Sequence, residues 1–229
     1  MAKVNFNITG KIENSILGSS IKTKKFIQSN YTSKKQANSD KNLILELVDK
    51  SIRIMERKHT QKIEDLHNDN FTDWLRDKGY SVSDQTRSGK SIKTSGELDM
   101  MIRKENGTPV SIIEAFRLSS CGRENSVVSS HVNKLLHNYD TAGHKNNFVL
   151  IYAESPKYHD LWLKYVEYIQ QLDSKKEWDG NYKLLSFSDT EDVFSQVTDV
   201  RVGEAVHERE GNKIHIFHIF INMFVKQLL

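Results

Sequence analysis

Apolar positions along this chain follow two rhythms, one of helices and one of strands. Ile44, Leu45, Val48, Ile52 and Met55 recur at helical spacing, and Ser39 or Asp40 is placed to cap a helix starting at Lys41. A second helical segment covers residues 62–78, with Ile63, Leu66, Phe71, Trp74 and Leu75 on its apolar side. Arg76 and Lys78 suit its C-terminal end, and Gly79 is its stop signal. A short strand over residues 80–84 leads into a Ser/Gly/Lys loop at 86–96. Two apolar runs, Leu98–Ile102 and Val110–Ile113, then flank a polar turn containing Asn106 and Gly107, which predicts a β-hairpin.

Beyond the hairpin, Val128, Val132, Leu135, Leu136 and Tyr139 form the stripe of a helix over residues 126–139. His131, Lys134 and Asn138 share a narrow face beside that stripe. Phe148–Ala153 is apolar throughout, as a strand covered on both sides must be. Ser155 and Pro156 open a helix whose buried face is Tyr158, Leu161, Trp162, Tyr165, Ile169 and Leu172. Residues 182–187 read as a strand, and Val200–Val206 with Lys213–Val225 as a final hairpin around a Glu-Arg-Glu-Gly-Asn turn. The run from Ile214 to Leu228 also admits a helix, being apolar on all sides. This order of elements predicts an α/β fold, a mixed sheet with helices packed on it.

Residues 1–37 break the rhythm. They are rich in Asn, Ser, Lys and Gly, with isolated Val4, Phe6, Ile8, Ile12, Ile16 and Ile21. Residues 1–40 therefore read as a basic arm or small β-element, and 41–229 as the main domain. Charge sharpens that division. Residues 1–62 hold 13 Lys and Arg against 5 Asp and Glu, whereas the rest of the chain is net negative by five. A basic N-terminal third is what a phosphate backbone attracts. An apolar content of 37% and a charged content of 28% suit a soluble globular protein. No apolar run reaches the ~20 residues of a membrane helix. The N-terminus lacks the apolar core of a signal peptide, which points to a cytoplasmic location without membrane attachment. Cys121 is alone, so neither a disulfide framework nor a cysteine-rich zinc site forms within one chain.

The chemistry concentrates in the central hairpin. Asp99 lies in its first strand and Glu114 in its second, where apolar residues are expected. A buried carboxylate is costly without a compensating cation or metal. Ile112, Ile113, Ala115 and Phe116 around Glu114 argue against an acid that simply faces water. Alternation puts Glu97 and Asp99 on one face, and opposed side chains on a hairpin approach to ~5 Å. Two carboxylates at that separation hold Mg²⁺, which keeps waters for a substrate phosphate. Such a metal polarises a phosphoryl oxygen and lowers the pKa of a bound water.

These residues resemble the PD-(D/E)xK, or restriction-endonuclease-like, nucleases: a helix bearing Glu, a strand with Asp, and a next strand with Glu-x-Lys. The resemblance covers roughly residues 60–153, and its motifs are short. It implies a restriction-endonuclease-like mixed central sheet flanked by helices, preceded here by the basic N-terminal extension. It implies Mg²⁺, with Mn²⁺ as substitute, held by Asp99 and Glu114. Glu64 is the helical acid, with Asp69 as the alternative. Glu97, Arg117 and His131 are secondary candidates. The family lysine falls at position 116, where this chain has Phe116. In the family that lysine orients the attacking water and stabilises charge on the phosphate. Lys134, on the helix after the hairpin, is the candidate replacement, and such relocation resembles variation within the family. Arg117 points to the opposite face of a regular strand. The implied activity is cleavage of double-stranded DNA in restriction or antiviral defence, with an ATPase or sensor subunit as partner and assembly as a homo-oligomer or hetero-complex. The alternative is a catalytically inactive nuclease-fold subunit that binds DNA or builds a complex, which Phe116 keeps open.

Other constellations are weaker. His215 and His218 with His207 suggest zinc, but residues three apart on a strand point to opposite faces. Ser88-Gly89-Lys90-Ser91 lacks the upstream glycine of a P-loop and reads as a loop near the site, able to touch backbone phosphates.

Overall fold

Three parallel strands at the centre of the molecule organise everything around them. The computed structural model describes residues 34–58, 64–83, 99–176, 178, 180–190, 194–195 and 197–226. Within them run α1 (Lys34–Glu56), α2 (Glu64–Asp77), β1 (Ser81–Ser83), β2 (Met100–Arg103) and β3 (Pro109–Leu118). Next come α3 (Val127–Asn133), continued by a π-helical turn over Lys134–Tyr139, then β4 (Asn146–Ala153) and α4 (Tyr158–Gln170). The strands β5 (Lys183–Asp189), β6 (Val200–Arg209) and β7 (Asn212–Asn222) complete the chain. The seven strands form one mixed sheet in the order β1-β2-β3-β4-β7-β6-β5. β3, β4 and β7 are parallel neighbours, and the outer pairings are antiparallel. The fold is thus α/β, a mixed central sheet flanked by four helices among the described residues.

The chain divides into two compact units, Met1–Leu43 and Ile44–Leu229, and α1 spans the junction. The N-terminal arm expected over residues 1–40 lies outside the described residues up to 33. The helix begins at Lys34 rather than Lys41, so Ser39 and Asp40 fall inside it rather than at its start. The loop at 86–96 and Glu97 also lie outside the described residues.

Burial explains why the centre is parallel. Every residue of β4 is buried, as a strand sandwiched between helix layers requires. On one face Ile112, Phe116 and Leu118 of β3 join Val128, Val132, Leu135 and Leu136 from the α3 segment, and Trp162 and Tyr165 from α4. α2 packs on the other face, where His67 meets the ring of Tyr152 with centroids 5.1 Å apart. The central hairpin follows its sequence signal: β2 and β3 pair antiparallel, with Met100 opposite Ile113 and Gly107 at φ 82° in the turn.

Two boundaries differ from the sequence pattern. α4 starts at Tyr158, because Ser155 Oγ accepts the N–H of Lys157 at 3.2 Å and holds a turn before it. The last apolar run is a strand, not a helix: β6 and β7 pair along their whole length, closed by Glu210 and Gly211, both at positive φ. No helix among the described residues is long and apolar enough to cross a membrane.

Candidate metal and phosphate site

Continuing the β2–β3 register by one residue puts Asp99 opposite Glu114, although regular strand geometry begins only at Met100. Asp99 Oδ2 accepts the backbone N–H of Ala115 at 2.7 Å, and Oδ1 accepts Asn68 Nδ2 from α2 at 3.1 Å. Asn68 is steadied in turn by the Tyr152 hydroxyl, which donates to its Oδ1 at 2.8 Å. Glu114 is only 2% exposed. Its Oε1 and His131 Nδ1 share a hydrogen bond of 2.6 Å, while its Oε2 is buried without a hydrogen-bond partner.

The electrostatics tie these groups together. Burial first, and the neighbouring Glu114 carboxylate second, push Asp99 up to about 8. Burial likewise raises Glu114 to about 8, against the pull of the Lys134 ammonium. Glu64, the first residue of α2, is raised by burial and opposed by His131. His131 is lowered by burial and by Lys134, while Asp99 and Glu64 act to raise it. Glu64, Asp99, Glu114 and His131 are thus electrostatically linked, and the charge of Lys134 acts on Glu114 and His131. Asp69, the alternative helical acid, is exposed.

Lys134 opens the π-helical turn and is partly buried, its backbone N–H donating to the His131 and Ser130 carbonyls. Arg117 is exposed and engaged by Glu154, with Nε–Oε1 and Nη2–Oε2 distances of 2.9 and 2.8 Å. Asn138, expected beside His131 and Lys134, is exposed, since the wide turn carries the chain away after Leu136. Phe116 lies on the face of Glu114 and stacks on His131, with centroids 4.6 Å apart and planes 23° apart.

Asn68 and Tyr152 were not legible as site residues. Asn68 stands four residues after Glu64 and so on its face of α2, which is the one signal for it. His215 and His218 do not share a site. His215 Nδ1 bonds Glu204 and His218 Nδ1 bonds the Tyr165 hydroxyl, both at 2.6 Å, from opposite faces of β7.

The donor set suits a small divalent cation. Glu114 Oε2 is buried without a hydrogen-bond partner while its carboxyl lies beside that of Asp99, an arrangement that a cation between the two would satisfy. No three His, Cys, Asp or Glu residues among those described are clustered as a ready-made metal cage. Mg²⁺ does not require one, because it binds through one or two carboxylates and retains waters. No protein-family model, curated protein or solved structure matches the chain.

Proposed function

We propose that this protein is a divalent-metal-dependent nuclease of the restriction-endonuclease-like kind, acting on double-stranded DNA. The observation that supports this reading is the buried Asp99–Glu114 pair, whose carboxyls also feel the charge of Glu64 and, at Glu114, of Lys134. The order α2, β1–β3, α3, β4 supports it too, since a helix bearing Glu precedes a strand led by Asp and a next strand carrying Glu.

Asp99 and Glu114 are the residues that would hold the cation, which supplies positive charge to a cleaving phosphodiester. Asn68 and the Ala115 N–H fix the orientation of the Asp99 carboxylate. Glu64 borders the pair and adds negative charge that favours a divalent ion. Lys134, whose charge already acts on Glu114, offers its ammonium to a phosphate oxygen and stabilises charge that develops there. Phe116 supports a second reading, an inactive nuclease-fold subunit, because the motif position itself carries no cation.

Incubation of plasmid with the protein and Mg²⁺ or Mn²⁺, beside Asp99→Ala and Glu114→Ala, tests the first reading. Metal-dependent cleavage by the wild type, lost in both variants, is the expected result. Cleavage that survives both substitutions removes the site assignment. DNA binding with no cleavage under either metal favours the inactive subunit.

A further inference from the structure

The two oxygens of Glu114 have different surroundings. Oε1 shares a 2.6 Å hydrogen bond with His131 Nδ1, which donates once Glu114 is ionised to bind a cation, and Oε2 is buried with no hydrogen-bond partner. His131 is itself held in place. Its ring stacks on Phe116, and Val128, Ser129 and Val132 around it on α3 are buried. A donor fixed in this way commits Oε1 and leaves Oε2 as the oxygen of Glu114 open to a cation.

Which cation benefits follows from coordination chemistry. Ca²⁺ takes roughly 6–8 oxygens at about 2.3–2.6 Å and readily uses both oxygens of one carboxylate. Mg²⁺ demands near-octahedral ligands at about 2.0–2.1 Å and is served by carboxylates that offer one oxygen each.

Resting on the metal-site reading above, we propose that His131 is a positioning residue that sets metal selectivity: by occupying Oε1 of Glu114 it favours Mg²⁺ or Mn²⁺ over Ca²⁺. Phe116 then has a task of its own. It stands where the family pattern has lysine, and its ring keeps the imidazole against Glu114.

Electron paramagnetic resonance of bound Mn²⁺, with Mg²⁺ and Ca²⁺ as competitors, reads this selectivity without any measurement of cleavage. In His131→Ala the Ca²⁺-to-Mg²⁺ competition ratio shifts toward Ca²⁺ by about tenfold, within the range of outer-shell effects. His131→Asn, whose amide donates from a similar position, stays within about threefold of wild type. An unchanged ratio in His131→Ala overturns the inference and leaves the metal site standing. A wild-type protein that binds no Mn²⁺ overturns both. Should His131→Ala lose its native circular dichroism, Phe116→Leu carries the test. It shifts the ratio in the same direction by about threefold, and no shift overturns the inference.

Discussion

Asp99, just ahead of β2, lies beside Glu114 of β3, and burial is the main cause that raises both carboxyls to about 8. Each has a folded pKa above its unfolded value of about 4, so the native protein retains protons that the unfolded chain releases. That stabilisation is complete below about pH 4 and is lost as pH rises toward 8. Urea denaturation of the wild type between pH 5 and 8 should show stability falling, by up to about 1.4 kcal/mol per pH unit for one retained proton. Asp99→Asn or Glu114→Gln flattens the slope. Mn²⁺ raises Tm more at pH 8 than at pH 5, because it binds the deprotonated pair. A wild-type slope identical to that of both variants would show that the pair does not govern this window.

Lys134 is expected to supply the charge that position 116 lacks. Lys134→Ala lowers plasmid cleavage by about 100-fold or more, the scale of one lost transition-state contact. Adding Phe116→Lys to that variant returns part of the rate, since residue 116 shares the face of Glu114. Cleavage by Lys134→Ala at the wild-type rate would remove Lys134 from the site.

The chain from Tyr152 through Asn68 to Asp99 yields a graded pair of variants. Tyr152→Phe removes the donor to Asn68 and costs about 1 kcal/mol of stability. Asn68→Ala takes the donor from Asp99 itself and lowers Mn²⁺ affinity by about tenfold. Denaturation and metal titration measure the two effects separately. Equal Mn²⁺ affinity in wild type and Asn68→Ala would show that Asn68 does not position Asp99.

Asp140 should dominate the acid limb. Burial pushes its carboxyl up, but hydrogen bonds from the His144 ring, the His144 N–H and Asn147 outweigh it and hold the pKa below the ordinary value. A depressed carboxylate contributes stability above its unfolded pKa, and that contribution disappears as pH falls through the folded one. Asp140→Ala therefore costs about 3 kcal/mol at neutral pH. Its loss relative to wild type shrinks below about pH 4. Acid titration followed by circular dichroism distinguishes this from a pH-independent packing defect.

Elements with strong local signals were readable from the chain. Phe148–Ala153 is apolar enough to be a buried strand and nothing else, and Asn106-Gly107 closes the central hairpin as its composition demands. Helix starts were less legible, because capping residues do not act alone. Ser39 and Asp40 stand inside α1, and Ser155 caps a turn that precedes α4 by two residues. In the site, Asp99 and Glu114 stood out as charges in apolar runs, whereas Tyr152 looked like core. Its ring is core, but a buried hydroxyl needs a partner, and that partner is 84 residues away on α2. His131 meets Glu114 only through the packing of α3 on the sheet.

The segment after α3 closes with Asp140 N–H donating to Leu135 five residues back, at 2.9 Å, rather than four. Each residue of an α-helix advances about 100° around the axis. A single deletion within 134–139 that restored ordinary α-helical winding, with Asp140 still anchored by His144 and Asn147, would rotate everything upstream by about that angle. Lys134 and His131 would swing away from Glu114 together while the hydrophobic stripe lost its phase. The extra residue in the turn thus sets the angular alignment between the structural anchor at Asp140 and the cation of the site.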